Sequence, residues 1–181
     1  MNYTDILLCN EDIIKTYSNL NDNTDGKYIT PALYMAQKSD LEQTIGTPLL
    51  RKLQELVATG QIEEEQNEHY KTLLDEHITD FLAYATIVRI IPIVSFKIGN
   101  AGAVRTEDEK VVGMSYNEVF QLADWYKNQA DYLKYRMQKY LLAFYSKYPE
   151  LSKYKTVDDL RHNLYSAANT NIFVGGKRNP K

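Results

Sequence analysis

Two of the three histidines are the residues whose type and spacing come nearest to metal chemistry. His69 and His77 lie eight positions apart in a segment with helical periodicity. In a helix this spacing separates them by two turns, about 12 Å. Ligands of one zinc ion must lie closer together than that, so the pair is too far apart to share a metal. Because His162 stands alone, we expect no metal site and no cofactor.

Nucleophilic and phosphate-binding chemistry has no better support. No serine, threonine or cysteine lies at a suggestive spacing from a histidine, and the single cysteine, Cys9, is expected to be a small buried apolar side chain. The glycines of "GNAGAV" and "VGGKRNP" lack the Lys-Ser/Thr ending and the strand-to-helix setting of a phosphate loop. Since no catalytic pair or triad is present, we expect a protein that is not an enzyme.

Composition predicts one acidic domain that is rich in tyrosine. The chain has 181 residues, of which 44% are hydrophobic and 25% charged, and this suffices for one core without requiring two. The formal net charge of -3 argues against a general DNA-binding protein. No apolar run reaches the roughly 18 residues of a membrane span and the N-terminus lacks a secretory pattern, so we expect a cytosolic protein with no membrane partner. The 15 tyrosines suit surfaces that become buried in an assembly.

Helix signals dominate the chain. Thr30-Pro31 and Thr47-Pro48 each place a capping hydroxyl before a proline that suits the first helical turn, so each pair is predicted to open a helix. A third helix is predicted from about His69, and it becomes apolar nearly all round, as a surrounded central helix does. Together with the segments below, these signals predict an all-α, mainly helical bundle with a projecting β-hairpin or extended loop and an extended C-terminal arm.

A long helix is predicted over residues 116–148, with apolar stripes on two opposite sides. The main stripe repeats every three or four residues, as packing against one neighbouring helix requires. Its members are Val119, Ala123, Tyr126, Ala130, Leu133, Met137, Tyr140 and Phe144. The second stripe consists of Trp125, Tyr132, Tyr135, Leu142 and Tyr145. A helix on the outside of a monomer needs only one apolar face, so the second stripe predicts a subunit interface, with cover by the C-terminal tail as the alternative.

Residues 94–115 are predicted to form the hairpin or extended loop. Apolar and polar residues alternate from Val94 to Ile98, turn residues "GNAG" follow, and "KVVGM" is a second β-prone run. A two-stranded ribbon is marginal alone in water, so we expect it to contact a neighbouring subunit or line a DNA channel. The candidate contact residues are Phe96, Asn100, Arg105, Glu107, Asp108 and Glu109.

The C-terminal segment, residues 151–181, is predicted to contain a short helix followed by an assembly arm. Ile172, Phe173 and Val174 form a β-prone centre that suits addition to a partner's sheet edge. Lys177 and Arg178 follow, and they are expected to meet carboxylates on a partner or phosphates.

The order of these segments resembles a known family. The runs "ITPALYMAQKSDLEQTIGTPLLRKLQEL" and "YKTLLDEHITDFLAYATIVRIIPIVSFKIGNAGAV", followed by a long aromatic helix and "FYSKYPEL", are similar to the head-tail connector (adaptor) proteins of tailed phages. In particular they resemble the versions carried by phages of Bacteroidetes, including the crAss-like group. The resemblance covers about residues 10–150.

This resemblance implies a structural virion protein. It implies a subunit of a twelvefold ring that binds the portal, extends the DNA channel and receives the next neck or tail ring, while genomic DNA passes without sequence-specific binding. The expected location is the virion neck, reached by assembly in the host cytoplasm. The expected organisation is a helical connector domain at residues 1–150, with the hairpin inserted at 94–115, and a C-terminal segment at 151–181.

Three alternatives stay open at this point. A DNA-packaging protein similar to small terminase subunits also forms helical rings, but it predicts a basic recognition helix. The basic cluster of this chain is instead Lys177, Arg178 and Lys181, near the C-terminus. The second alternative is another neck or tail-completion ring protein. The third is a cytosolic helical scaffold unrelated to phage.

Overall fold

The computed structural model describes residues 6–18, 26–99, 102–105 and 115–153. Over these residues the fold is mainly helical, as predicted. The described α-helices are α1 (Glu11–Thr16), α2 (Gly26–Met35), α3 (Glu42–Ile45), α4 (Thr47–Thr59), α5 (Glu68–Leu73), α6 (Thr79–Ser95) and α7 (Tyr116–Ala143). Short 3-10 turns lie at Gln61–Glu63, Glu65–Asn67, Tyr145–Lys147 and Pro149–Lys153.

Helix α6 lies at the centre of the fold. It packs against both α2 and α7, and its side chains Leu82, Ala83 and Ile90 are fully buried. The prediction of a surrounded central helix is therefore confirmed. The helical run Glu65–Val94 is long and apolar enough to cross a membrane by length and composition. However, 56% of its most apolar 18-residue stretch is buried inside the fold. Burial of this kind is typical of a core helix.

Two long helices are each interrupted by a π-helical turn. Ala36–Leu41 joins α2 to α3, and Leu74–Ile78 joins α5 to α6. A π turn shifts the hydrogen-bond ladder by one residue. Threonine hydroxyls donate to carbonyls at both turns, from Thr44 to Asp40 at 2.6 Å and from Thr79 to Leu74 at 2.9 Å. Threonine side-chain bonds of this kind compete with the backbone ladder and often accompany a bend in a helix.

The first π turn places a polar side chain in the core. Gln37 is fully buried; its amide accepts a bond from the Leu8 N–H at 2.9 Å and donates to the Ile6 carbonyl at 2.8 Å. Gln54 of α4 donates to the same carbonyl at 2.8 Å. Because both buried amides are used, the N-terminal segment is held against α2 and α4 without leaving these polar atoms unpaired.

The helix start predicted at Thr47-Pro48 is correct, and the one predicted at Thr30-Pro31 is wrong. α4 spans Thr47–Thr59 and is followed by Gly60, whose φ of 73° lies in the left-handed region. The predicted cap is wrong, because Gly46 is the N-cap and the Thr47 hydroxyl donates to the Glu42 carboxylate at 2.7 Å instead. α2 begins at Gly26, so Pro31 lies inside this helix instead of opening it. Burial of the apolar side chains around Pro31 offsets the hydrogen bond that its missing N–H removes. Pro92, expected from the sequence to end or kink its helix, lies inside α6, which continues to Ser95.

A short antiparallel ribbon follows α6. Strand β1 (Phe96–Gly99) pairs with β2 (Gly102–Arg105), with Phe96 opposite Arg105. Val94 is the penultimate residue of α6, so the first strand starts two residues later than predicted. The second β-prone run, residues 110–114, lies outside the described residues, and projection of the ribbon toward a neighbour stays a prediction.

Candidate interaction surfaces

Helix α7 exposes a row of aromatic side chains to solvent. A capping box fixes its start, in which the Ser115 hydroxyl accepts the Glu118 N–H at 3.3 Å and the Glu118 carboxylate accepts the Ser115 N–H at 2.6 Å. Trp125 is 52% exposed, Tyr132 63% and Tyr135 39%. We call these three residues the aromatic stripe. Exposed aromatic surface of this kind commonly marks a binding surface.

The main stripe of α7 faces the core, as predicted. Tyr126 and Tyr140 lie against Tyr84 and His77, with ring centroids 6.0 and 4.3 Å apart. The buried or half-buried members of this stripe are Val119, Ala123, Tyr126, Ala130, Leu133, Met137 and Tyr140. Phe144 is the exception, because α7 ends at Ala143 and this ring is left 41% exposed.

The second stripe is shorter than the sequence predicts. Leu142 and Tyr145 are half-buried against the core, so neither continues the aromatic stripe. Tyr145 lies beyond the end of α7 at Ala143, in a 3-10 turn, whereas Leu142 is still helical and packs against the core. Phe120 is 43% exposed on α7, but the helical spacing that identifies the stripe does not include it.

A tyrosine cluster holds the end of the described chain against α5. The Tyr148 side chain is fully buried; its hydroxyl donates to the His69 carbonyl at 2.8 Å and lies 3.3 Å from the Tyr140 hydroxyl. The Tyr70 hydroxyl donates to the Glu150 carboxylate at 2.9 Å. Burial, and then these hydrogen bonds, raise the pKa values of both Tyr148 and Tyr70. The two tyrosines therefore stay neutral donors and connect the terminal turns to the helical core.

His77 lies in the second π turn and is buried against α7. Its ring stacks on Tyr140, and its Nδ1 atom has no hydrogen-bond partner within the part of the chain that the structure describes. Burial lowers the pKa of His77, and the charge of Arg136 lowers it further, while Glu76 and Asp80 oppose the shift. His77 is therefore an apolar packing residue at neutral pH.

This environment predicts that acid destabilises the fold. The pKa of His77 is lower in the folded state than its ordinary value of 6.5, so the unfolded chain binds more protons as pH falls below that value. We expect the unfolding free energy to be lower at about pH 5 than at about pH 7.5, two values that bracket the ordinary histidine pKa of about 6.5. Urea denaturation at both pH values measures the difference. His77→Phe replaces the imidazole with an aromatic ring that does not titrate, so the unfolding free energy of this variant should depend less on pH. The matched change His69→Phe should reduce this dependence less because His69 is more exposed; an unchanged slope in His77→Phe would refute this assignment.

A cleft of about 330 Å³ opens between the first π turn, α6 and α7. Its apolar lining comes from Phe81, Ala85, Val88 and Ala130. The cleft is formed by tertiary packing of three separate segments, and no local sequence pattern marks it. Phe81, Ala85 and Ala130 are themselves buried, so they leave little accessible apolar surface in the cleft.

The rest of the cleft lining is charged. Arg89 donates from Nε and Nη2 to the Asp40 carboxylate at 3.2 and 2.9 Å, and it also bonds Ser39. Lys127 and Asp131 pair at 2.9 Å on the α7 side. Lys134 has no ion-pair partner among the described residues. Three cations and two carboxylates thus give the lining a net positive charge.

The structure describes some of the remaining candidate residues and not the others. Cys9 is buried, as predicted, and burial raises its thiol pKa to about 11, which disfavours the reactive thiolate. Phe96 and Arg105 lie opposite each other in the ribbon. The predicted contact residues outside the described residues are Asn100, Glu107, Asp108, Glu109, Ile172, Phe173, Val174, Lys177 and Arg178. In the described ranges no group of three His, Cys, Asp or Glu side chains is placed to hold a metal ion.

The described residues define a mainly helical protein with an exposed aromatic stripe and a charged cleft. Residues 41–169, more than half of the chain, match a family described as a family of unknown function, DUF6712. The chain therefore belongs to this family. No curated protein and no solved structure matches it.

Proposed function

We propose that this chain is a structural virion protein, a subunit of the head-tail connector (adaptor) ring of a tailed phage. The carrying observation is the aromatic stripe, in which Trp125 and Tyr132 are more than half exposed on a folded subunit. Exposure of such side chains is unfavourable unless a partner covers them. A ring supplies that partner, because each subunit gives one face and receives another. The order of the segments along the sequence resembles that of connector proteins, and this resemblance supports the same function.

The proposal assigns partners to the ring. One side binds the portal protein, the other receives the next neck or tail ring, and genomic DNA passes through the channel without sequence-specific contacts. A twelvefold ring matches the connector resemblance. The acidic residues Glu107, Asp108 and Glu109, which lie outside the described residues, would repel DNA phosphates in such a channel and prevent adhesion of the genome.

Removal of the gene from the encoding phage tests the proposed function. Capsids are expected to fill with DNA but to lack tails and to lose DNA after packaging, because the connector is needed only once the head is full. Complementation with the intact chain is the control. Empty capsids would favour a DNA-packaging protein, and complete virions would contradict any connector function.

The C-terminal arm is the proposed portal contact. Deletion of residues 170–181 removes its apolar centre and three cations, so binding to immobilised portal protein is expected to weaken, by about tenfold or more if Phe173 is a hot spot. The single variant Phe173→Ser keeps the arm's length and charge and should reproduce most of this loss. Asn179→Ser, in the same arm, is the matched control. Equal portal binding by the deletion variant and the intact chain would exclude the arm as the contact.

A further inference from the structure

We draw no further inference here: the strongest candidate, the charged cleft between the first π turn, α6 and α7, carries none because its apolar lining residues Phe81, Ala85 and Ala130 are themselves buried and nothing in the structure shows what fills it.

Discussion

Trp125→Ser/Tyr132→Ser is expected to abolish assembly while leaving the subunit folded. Both side chains project from α7 into solvent, with 52% and 63% of their surfaces exposed, so their loss removes little core packing. At an interface, each central aromatic residue is commonly worth about 2 kcal/mol or more, and two together weaken association roughly a thousandfold. Sedimentation velocity reports the assembly, and circular dichroism reports the helix content.

The control for this double variant is Tyr34→Ser. It removes an aromatic side chain with 40% exposure from α2, and it should change neither assembly nor helix content. Loss of helical circular dichroism in the double variant would show that Trp125 and Tyr132 support the fold itself. Assembly at the wild-type concentration would show that the aromatic stripe is not a subunit interface.

Tyr148→Ala is expected to be the most destabilising single substitution among the tyrosines discussed above. This side chain is fully buried, it packs against the rings of His69, Tyr70 and Tyr140, and it donates a hydrogen bond to the His69 carbonyl. Removal of a large buried aromatic ring costs about 3–5 kcal/mol of unfolding free energy. Urea denaturation followed by circular dichroism measures this loss.

Two matched variants divide that loss into its causes. Tyr148→Phe keeps the ring and removes only the hydroxyl, so it should cost about 1–3 kcal/mol because the His69 carbonyl loses its donor. Tyr135→Ala removes an exposed tyrosine whose ring contacts Lys139, and it should cost less than about 1 kcal/mol. A Tyr148→Ala variant as stable as Tyr135→Ala would contradict the buried cluster.

The surfaces that could be predicted from sequence are those set by helical periodicity. The core-facing and solvent-facing sides of α7 follow from spacings within one helix, so Tyr126 and Trp125 are assignable to different sides without a structure. The start of α4 at Thr47 follows from the proline in its first turn, and its end follows from the left-handed Gly60. Both kinds of signal depend on neighbours in sequence.

The features that escaped prediction depend on contacts between distant segments. Arg89 and Asp40 are 49 positions apart, so the charged cleft exists only after α6 has packed against the first π turn. The start of α2 before Pro31 likewise depends on tertiary burial. The π turn had one sequence signal: the buried residues Ala36 and Leu41 are five positions apart, a step that a regular α-helix does not place on one side.

The most direct test of the ring function is native mass spectrometry of the purified chain, alone and with the portal protein. The account predicts a closed species at a fixed multiple of the 21.0 kDa subunit, formed alone or on the portal, with the same subunit number at every protein concentration that permits assembly. A closed ring gives a fixed number because each heterologous contact is used once. A mass of one subunit in both samples would contradict the proposal that this chain is a connector-ring protein.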